Sequence, residues 1–574
     1  MINIEKSVIE KFPSLERKPA LIKNSTISVL RKLTHEQEIN LFLEAHQGTV
    51  NFDFIDRIFD YFNFSYSASS KSKANIPASG RVVIIANHPI GSLDGLALLR
   101  LISEVRRDVK IIANDMLMAF EPLHSLLLPL DNMKGGGHRK SYKRILESLN
   151  NDEAVIIFPA GEVSRVSPQG IRDGKWHSGF LSFARKTQSS ILPIFVEAQN
   201  SLLFYSASIM LKPLGTALLA HEMFNKRSGE IRFKVGEPIP PSALDSKTEA
   251  KNISDQALIK RLKKHLYKLR KNRKRLFITE KTIAHPEERQ LLKNELKQSE
   301  HLGTTRDNNR IFLCDYRDDS SVIREIGRLR ELTFRKVGEG TGNKRDLDRY
   351  DQDYRHLVLW DEESLDIAGS YRIGEAFRTV AEEGIESLYT AELFHYHKAL
   401  TPYLEQGLEL GRSFVNAKYW GKASLDYLWQ GIGAYLRHNS NVRYLIGPVS
   451  MSADYSRELK NLLVYYYQHY YAAPEVLASA KRPYLLDIEA QQNLSKIFLH
   501  MSREEGFSYL QEKFAEEGVK LPVLFKQYAA LFEKGGFQLL AFNIDPDFAD
   551  CVDGLFIADL TTLKANKRKR YIGE

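Results

Sequence analysis

The chain has 574 residues, 43% of them hydrophobic and 27% charged, with two cysteines and a net charge of +9. Its length exceeds one ordinary core and predicts two or three domains of normal soluble composition. Cys314 and Cys551 exclude a disulfide framework, match no metal spacing and fit a reducing compartment; the opening MINIEKSVIEKF lacks the apolar core of a signal peptide.

Residues 1–60 read as a helical N-terminal extension, with LTHEQEINLFLEAH carrying apolar residues at helical spacing. From residue 81 the pattern changes. RVVIIANH predicts a strand, GLALLRLISEVR a helix, and DVKIIAND a second strand. A helix near RKSYKRILESL precedes the strand EAVIIFPAGE, then the helix HSGFLSFARKTQ and the strand SILPIFVEAQ. This alternation predicts an α/β sheet, and runs such as VVII and VIIF fit strands buried on both faces. The stretch SLLFYSASIMLKPLGTALLAH (201–221) reads as two short buried or membrane-facing pieces split by Lys212 and Pro213. It is not a span, and no run reaches the roughly eighteen apolar residues that a membrane helix needs.

Residues 260–275, KRLKKHLYKLRKNRKR, hold ten Lys and Arg and no acid. Ile259, Leu262, Leu266 and Leu269 give this basic helix a narrow apolar stripe. It suits an anionic membrane surface. The alternatives are nucleic acid and a solvated helix that ends a domain. Residues 281–307 turn polar and read as a linker between a first domain, 61–280, and a second, 308–574. The second is again α/β. It runs from the strand RIFLCDYR through the helix SVIREIGRLRELTF, an acidic loop and the hairpin HLVLW/DIAGSYRI. LELGRSFV, the helix SLDYLWQGIGAYLRHN, the strand YLIGPVS and the closing FQLLAFNIDPDF…DGLFIADL follow. The basic KANKRKRY near the end reads as a tail.

Two constellations carry chemistry. In ANHPIGSLDG a strand ends at His88, and Asp94 follows on the same loop. Imidazole, with a pKa near ~6.5, can take a proton from a hydroxyl at neutral pH, and a carboxylate can orient it and stabilise the imidazolium. Downstream, FPAGEVSR ends another strand with Gly161, Glu162 and Arg165, and ILPIFVEA carries Pro193. Parallel strands would bring these loops to one sheet end. In this order and spacing the blocks resemble the glycerolipid (lysophospholipid-type) acyltransferases over about 60–270. The resemblance implies O-acyl transfer from an acyl thioester, with His88 deprotonating the acceptor hydroxyl, Asp94 orienting it and Gly161 with its neighbours holding the acceptor. Two departures stand out. The His-to-Asp gap is five residues where that family has four, and Ala160 stands where it has an acid, with Glu162 and Arg165 displaced. The second departure implies an acceptor without the glycerol phosphate. DNMKGGGHRKS, with Arg139, occupies the place of another substrate-binding block of that family.

In the second domain the series is Arg330, the acids Asp346, Asp348 and Asp351, then Arg372, then Glu409 and Arg412. Acids near an amine can bind it as ammonium and accept its proton, and an arginine can hold a carboxylate in bidentate fashion. Glu409 and Arg412 would point to opposite faces of a regular strand unless a bulge intervenes. The alternative is structural ion pairing. The series resembles the acetyltransferase-like (GNAT) N-acyltransferases that use acyl carrier protein, the ornithine N-acyltransferases and autoinducer synthases, over 308–574. That resemblance implies a catalytic Glu409, substrate binding by the arginines and aspartates, and pantetheine binding near Gly431 and Gly433.

Together the halves resemble bifunctional ornithine-lipid synthases. These expectations accompany that resemblance. A 3-hydroxyacyl group passes from acyl carrier protein, or from acyl-CoA, to the amine of an amino acid, ornithine by the resemblance. The first domain then acylates the hydroxyl of the lyso-lipid. No cofactor is tightly bound, no metal or nucleic acid takes part, and the protein sits on the inner face of the cytoplasmic membrane. The alternatives are a single-function lysophospholipid acyltransferase with a degenerate second domain, and a non-catalytic membrane or nucleic-acid binder.

Overall fold

The computed structural model describes residues 2–11, 13–113, 115–129, 137–167, 170–198, 224, 229–244, 253–271 and 276–573. They form two units, Met1–His285 and Pro286–Glu574. The stretch 201–221 lies outside the described residues, as do residues 272–275 of the basic run.

The first unit is built on seven strands: β1 (Ser65–Ala68), β2 (Val82–Ala86), β3 (Val109–Ala113), β4 (Leu127–Pro129), β5 (Ala154–Ile157), β8 (Ser190–Glu197) and β9 (Glu230–Val235), in the order β1-β9-β8-β2-β5-β3-β4. A hairpin of β6 (Arg165–Ser167) and β7 (Gly170–Arg172) stands apart. Every residue of β2 and β5 is buried. Apolar side chains are therefore needed on both faces, which is why these strands read as unbroken runs. Ile84 and Ile156 pack with Phe54 and Leu96 of the helices Asn51–Phe62 and Ser92–Ser103. Val83 and Val155 pack on the other face with Phe180 and Leu262, from Gly179–Lys186 and Asp255–Leu269. Since β2 runs parallel to both β5 and β8, the loops leaving β2 and β5 emerge at one edge.

The basic helix belongs to this core. Leu258, Ile259, Leu262 and Leu266 are buried beneath the sheet, so its apolar stripe is not a membrane-inserting face. What remains outward is charge: Lys260, Lys264, Arg270 and Lys271 are exposed. Among the described residues no helix is long and apolar enough to cross a membrane.

The second unit carries eight strands in the order β10-β11-β12-β13-β15-β16-β19-β18. These are β10 (Glu300–Thr304), β11 (Arg310–Cys314), β12 (Arg355–Asp361), β13 (Asp366–Gly374), β15 (Gly407–Val415), β16 (Tyr444–Met451), β18 (Phe537–Asp545) and β19 (Cys551–Asp559). A separate pair joins β14 (Phe394–Tyr396) to β17 (Ala478–Ala480). The stretch 281–307, expected to be a linker, is folded. Helix Arg289–Leu296 buries Leu292 and Leu296 in the core, and β10 is the edge strand of the sheet. The basic C-terminal run is not a tail: helix Ala565–Tyr571 packs on helix Ser424–His438, with Arg570 paired to Asp426 at 2.6 Å.

All pairings in this sheet are antiparallel except β15 with β16, which run parallel for only three pairs, Gly407↔Tyr444 to Glu409↔Ile446. Beyond them the two strands diverge. Pro448 has no N–H to offer β15, and the adjacent Gly447 closes on the Leu410 carbonyl, where a Cβ would lie 2.1 Å away. The gap is a cleft through the sheet.

Candidate active sites

The first site is the loop after β2. Asn87 is 3% exposed and ties that strand's end to β8, accepting from the Val196 N–H at 2.8 Å and donating to its carbonyl at 2.9 Å. His88 follows, partly open, its ring stacked on Phe158 at 4.0 Å. Gly91, at φ 104°, turns the chain into helix Ser92–Ser103, a conformation that L side chains resist. Asp94 sits in the first turn, fully buried. Its Oδ2 accepts from the Ile90 and Gly91 amides at 2.9 and 3.2 Å and lies 3.1 Å from His88 Nδ1. The five-residue gap therefore keeps the His–Asp pair, and Gly91 supplies the turn that takes up the extra residue. Nδ1 faces the carboxylate. Among the described residues nothing bonds Nε2, which is the nitrogen free to take a proton from a hydroxyl.

A second loop holds the first. Asp173 Oδ1 accepts from the His88 N–H at 3.2 Å and from the Ser164 hydroxyl at 2.5 Å, while Ser164 N–H donates to the His88 carbonyl at 2.7 Å. Trp176 Nε1 donates to Asp173 Oδ2 at 2.9 Å. From the basic helix, Lys263 Nζ donates to the Asp173 and Gly174 carbonyls at 2.7 and 2.6 Å, and Tyr267 Oη accepts from the Asp173 N–H. Burial holds the Lys263 ammonium below its usual pKa. Sequence reasoning missed Asp173, Ser164 and Lys263, since nothing local marks a residue that acts 85 positions away.

Gly161 takes φ +65° in the turn after β5, and its N–H is spent on the Phe158 carbonyl at 3.0 Å. It shapes the turn and does not offer an anion a donor. Glu162 and Arg165 face each other at 3.4 Å on the open side of the loop. Arg139 is exposed on helix Gly137–Asn150, and most of its block, 131–136, lies outside the described residues.

The second site is a buried charge network on the face of the second sheet that helix Ser321–Lys336 covers. Arg330 and Arg372 are wholly buried, and Asp351 and Asp346 are nearly so. Arg330 donates to Asp351 Oδ1 at 2.7 Å, Arg372 to Asp348 Oδ1 at 2.5 Å, and Arg412 to Asp348 Oδ2 at 3.4 Å, with Asp346 Oδ2 3.7 Å from Arg412 Nε. Burial works against the Asp351 carboxylate, but Arg330 and Arg372 outweigh it and hold its pKa well below the usual range. Burial pushes Asp346 the other way, with Arg412 opposing. His356, completely buried, joins them. Desolvation, reinforced by Arg330, lowers its pKa to about 4. It is neutral, and because arginine only donates, Nδ1 accepts from Arg330 while Nε2 donates to the Asp351 carbonyl at 3.1 Å.

The aspartates thus face arginines, and the network is first a scaffold. It is not saturated. Among the described residues, Arg372 Nε and Nη2 and Arg412 Nε are buried donors without a hydrogen-bond partner, and Asp346 Oδ2 is an acceptor without one. Arg412 stands in left-handed backbone at φ 48°, where the β13–β15 register slips between Ser370 and Arg372. This is the bulge, and it brings Arg412 and Glu409 to the same wall: Arg412 and Arg372 both lie over the Tyr389 ring, at 5.2 and 4.7 Å. Glu409 is 2% exposed and accepts from Tyr354 Oη, Thr390 Oγ1 and the Thr390 N–H, the last at 2.8 Å. It secures the 389–390 turn beneath the arginines. With both carboxylate oxygens already taken by these donors, Glu409 is not left to accept a proton from an incoming amine, which corrects the direct catalytic role expected of it. Burial raises Asp553 to about 6 and raises Asp545 as well, with the charge of Arg412 opposing both.

Gly431 and Gly433 are not at a helix N-terminus. They lie in the interior of Ser424–His438, where a Cβ on Gly431 would meet Ile311 and Leu357 at 2.9 Å, and one on Gly433 the Tyr571 carbonyl at 2.0 Å. They permit helix packing and do not cradle pantetheine.

Residues 6–273 match an acyltransferase family, and residues 329–430 match the acetyltransferase (GNAT) domain. The chain is 32% identical over 304 residues to the glycine N(alpha)-acyltransferase of Bacteroides thetaiotaomicron, covering 50% of this chain and 89% of that protein. It is 30% identical over 259 residues to the lyso-glycine lipid O-acyltransferase of the same organism, covering 44% of this chain and 93% of that protein. It is 34% identical over 131 residues to the L-ornithine N(alpha)-acyltransferase of Brucella abortus, covering 20% of this chain and 45% of that protein. The chain is an acyltransferase in which an acyltransferase unit and a GNAT unit share one polypeptide, and it belongs to the acyltransferase family of its glycine N(alpha)-acyltransferase and lyso-glycine lipid O-acyltransferase relatives.

Proposed function

We propose that this chain builds a diacylated amino-acid lipid in two steps. The second unit transfers an acyl group from a carrier-protein or coenzyme A thioester to the α-amine of an amino acid. The first unit then transfers a second acyl group to a hydroxyl of that lyso-lipid, with His88 Nε2 taking the hydroxyl proton and Asp94 stabilising the imidazolium. The observation that carries the reading is the His88–Asp94 pair, hydrogen-bonded at 3.1 Å, on the same chain as a GNAT unit with unfilled arginine donors. Those donors, on Arg372 and Arg412, suit the acceptor's carboxylate.

Glycine is the amino acid we favour, because the chain covers 89% of the glycine enzyme and 45% of the ornithine enzyme. Ornithine is the second reading. Its side-chain ammonium would meet Asp545 and Asp553, carboxyls that burial leaves reluctant to ionise without a cation. The carrier protein is acidic in this reading, and the excess positive charge would steer it to the chain. The outward lysines of helix Asp255–Leu269 would hold the protein on anionic lipid through charge alone.

The test is a lipid profile from a bacterium without aminolipids. Wild type should add a diacylated amino-acid lipid, and His88→Ala its monoacylated form. A profile unchanged by well-expressed wild type would defeat the proposal.

A further inference from the structure

The cleft between β15 and β16 has apolar walls, among them Leu410, Phe532 and Phe556, as an acyl chain requires. It also contains a knot of polar groups that an alkyl chain does not need. Tyr371 of β13 and Tyr528 share a hydrogen bond between hydroxyls at 2.5 Å, and Ser413 of β15 lines the cleft with them. Trp429 lines the same cleft, is 6% exposed, and its indole N–H has no hydrogen-bond partner among the described residues. An indole nitrogen can only donate, so this buried donor calls for an acceptor that the described residues do not supply.

Chemistry supplies one. An N-acylated glycine has no hydroxyl of its own, and neither has N-acylated ornithine. If the first unit esterifies the product of the second, the hydroxyl must come in on the first acyl chain. We propose that Trp429, Tyr528, Tyr371 and Ser413 form a hydroxyl-recognition subsite that selects a hydroxyacyl thioester over the unsubstituted one. This rests on the N-acylation reading and adds to it the residues that choose the donor. The chain's hydroxyl oxygen accepts from Trp429 Nε1, and its proton goes to the oxygen of the tyrosine pair. Selection at the first step guarantees an acceptor for the second. An unsubstituted chain would leave the indole donor unpaired and yield a product that His88 cannot use.

The test is a competition. Purified full-length protein receives equimolar 3-hydroxypalmitoyl and palmitoyl carrier-protein thioesters with glycine and ornithine, and the two N-acyl products are counted by mass spectrometry in one tube. A within-tube ratio is insensitive to how much of a variant is folded. Wild type should favour the hydroxyacyl product by roughly a hundredfold or more. Tyr528→Phe and Trp429→Phe should each reduce the ratio roughly tenfold. A wild-type ratio near one, or a wild-type ratio kept by both variants, overturns the subsite while N-acylation stands. No N-acyl product from either thioester overturns the parent reading, and the subsite with it.

Discussion

Replacing Asp94 by asparagine separates the two jobs of its carboxylate. Oδ2 accepts two buried amides, of Ile90 and Gly91, and faces His88 Nδ1 at 3.1 Å. The carboxamide keeps an oxygen for the amides but removes the charge opposite the imidazolium. Two unit charges about 4 Å apart at an effective dielectric of about 20 attract by ~4 kcal/mol. His88 is 19% exposed, so some of that is screened, and about 3 kcal/mol remains, roughly a hundredfold in rate. The fold should lose only the charge at the helix N-terminus, about 1 kcal/mol. Asp94→Ala also strands two buried amides at ~1–3 kcal/mol each, so it should cost about 2–6 kcal/mol of stability. The assay is O-acylation of purified lyso-lipid beside a thermal melt. An asparagine variant with more than about a tenth of wild-type turnover would refute the pairing as catalytic, since the worked loss is about a hundredfold. So would one that melts like the alanine variant.

Three further outcomes follow from the packing. Gly433→Ala places a methyl 2.0 Å from the Tyr571 carbonyl, so it should displace the C-terminal helix at a cost of about 1–3 kcal/mol in a melt; lost N-acylation at an unchanged melting temperature would restore a pantetheine role. Leu262→Ala should cost about 2–5 kcal/mol of stability, whereas a vesicle-inserting residue would weaken flotation on anionic vesicles and leave the melt alone. His356 is held neutral, with its folded pKa near 4 below an unfolded ~6.5, so its contribution is complete above pH ~6.5 and lost as pH falls toward 4. The loss reaches up to about 3 kcal/mol in denaturant titrations. His356→Asn should be less stable at neutral pH and lack that part of the slope; an unchanged slope would contradict the assignment.

The first site was legible because its parts are local. His88 and Asp94 share one loop, and the fully buried β2 and β5 announce themselves as unbroken apolar runs. What stayed hidden depends on distant pairing. The apolar stripe of 255–269 was visible as a stripe, but only β8 and its neighbours show what covers it. Edge strand β10, EHLGT, exposes most of its residues, so its composition looks like a linker. The glycines of helix Ser424–His438 look alike whether they admit a cofactor or a neighbouring helix. The bulge at Arg412 was foreseen only as an option, because a strand's register is fixed by its partner, here β13.

The central claim is that one chain holds two separate acyltransferase sites acting in sequence. Mixing purified His88→Ala with purified Arg372→Ala, given labelled amino acid and both thioesters, tests it directly. Alone, the first should stop at the monoacylated amino acid and the second should make no lipid; together they should restore the diacylated product. Diacylated product from His88→Ala alone, or none from the mixture while wild type makes it, would contradict the account.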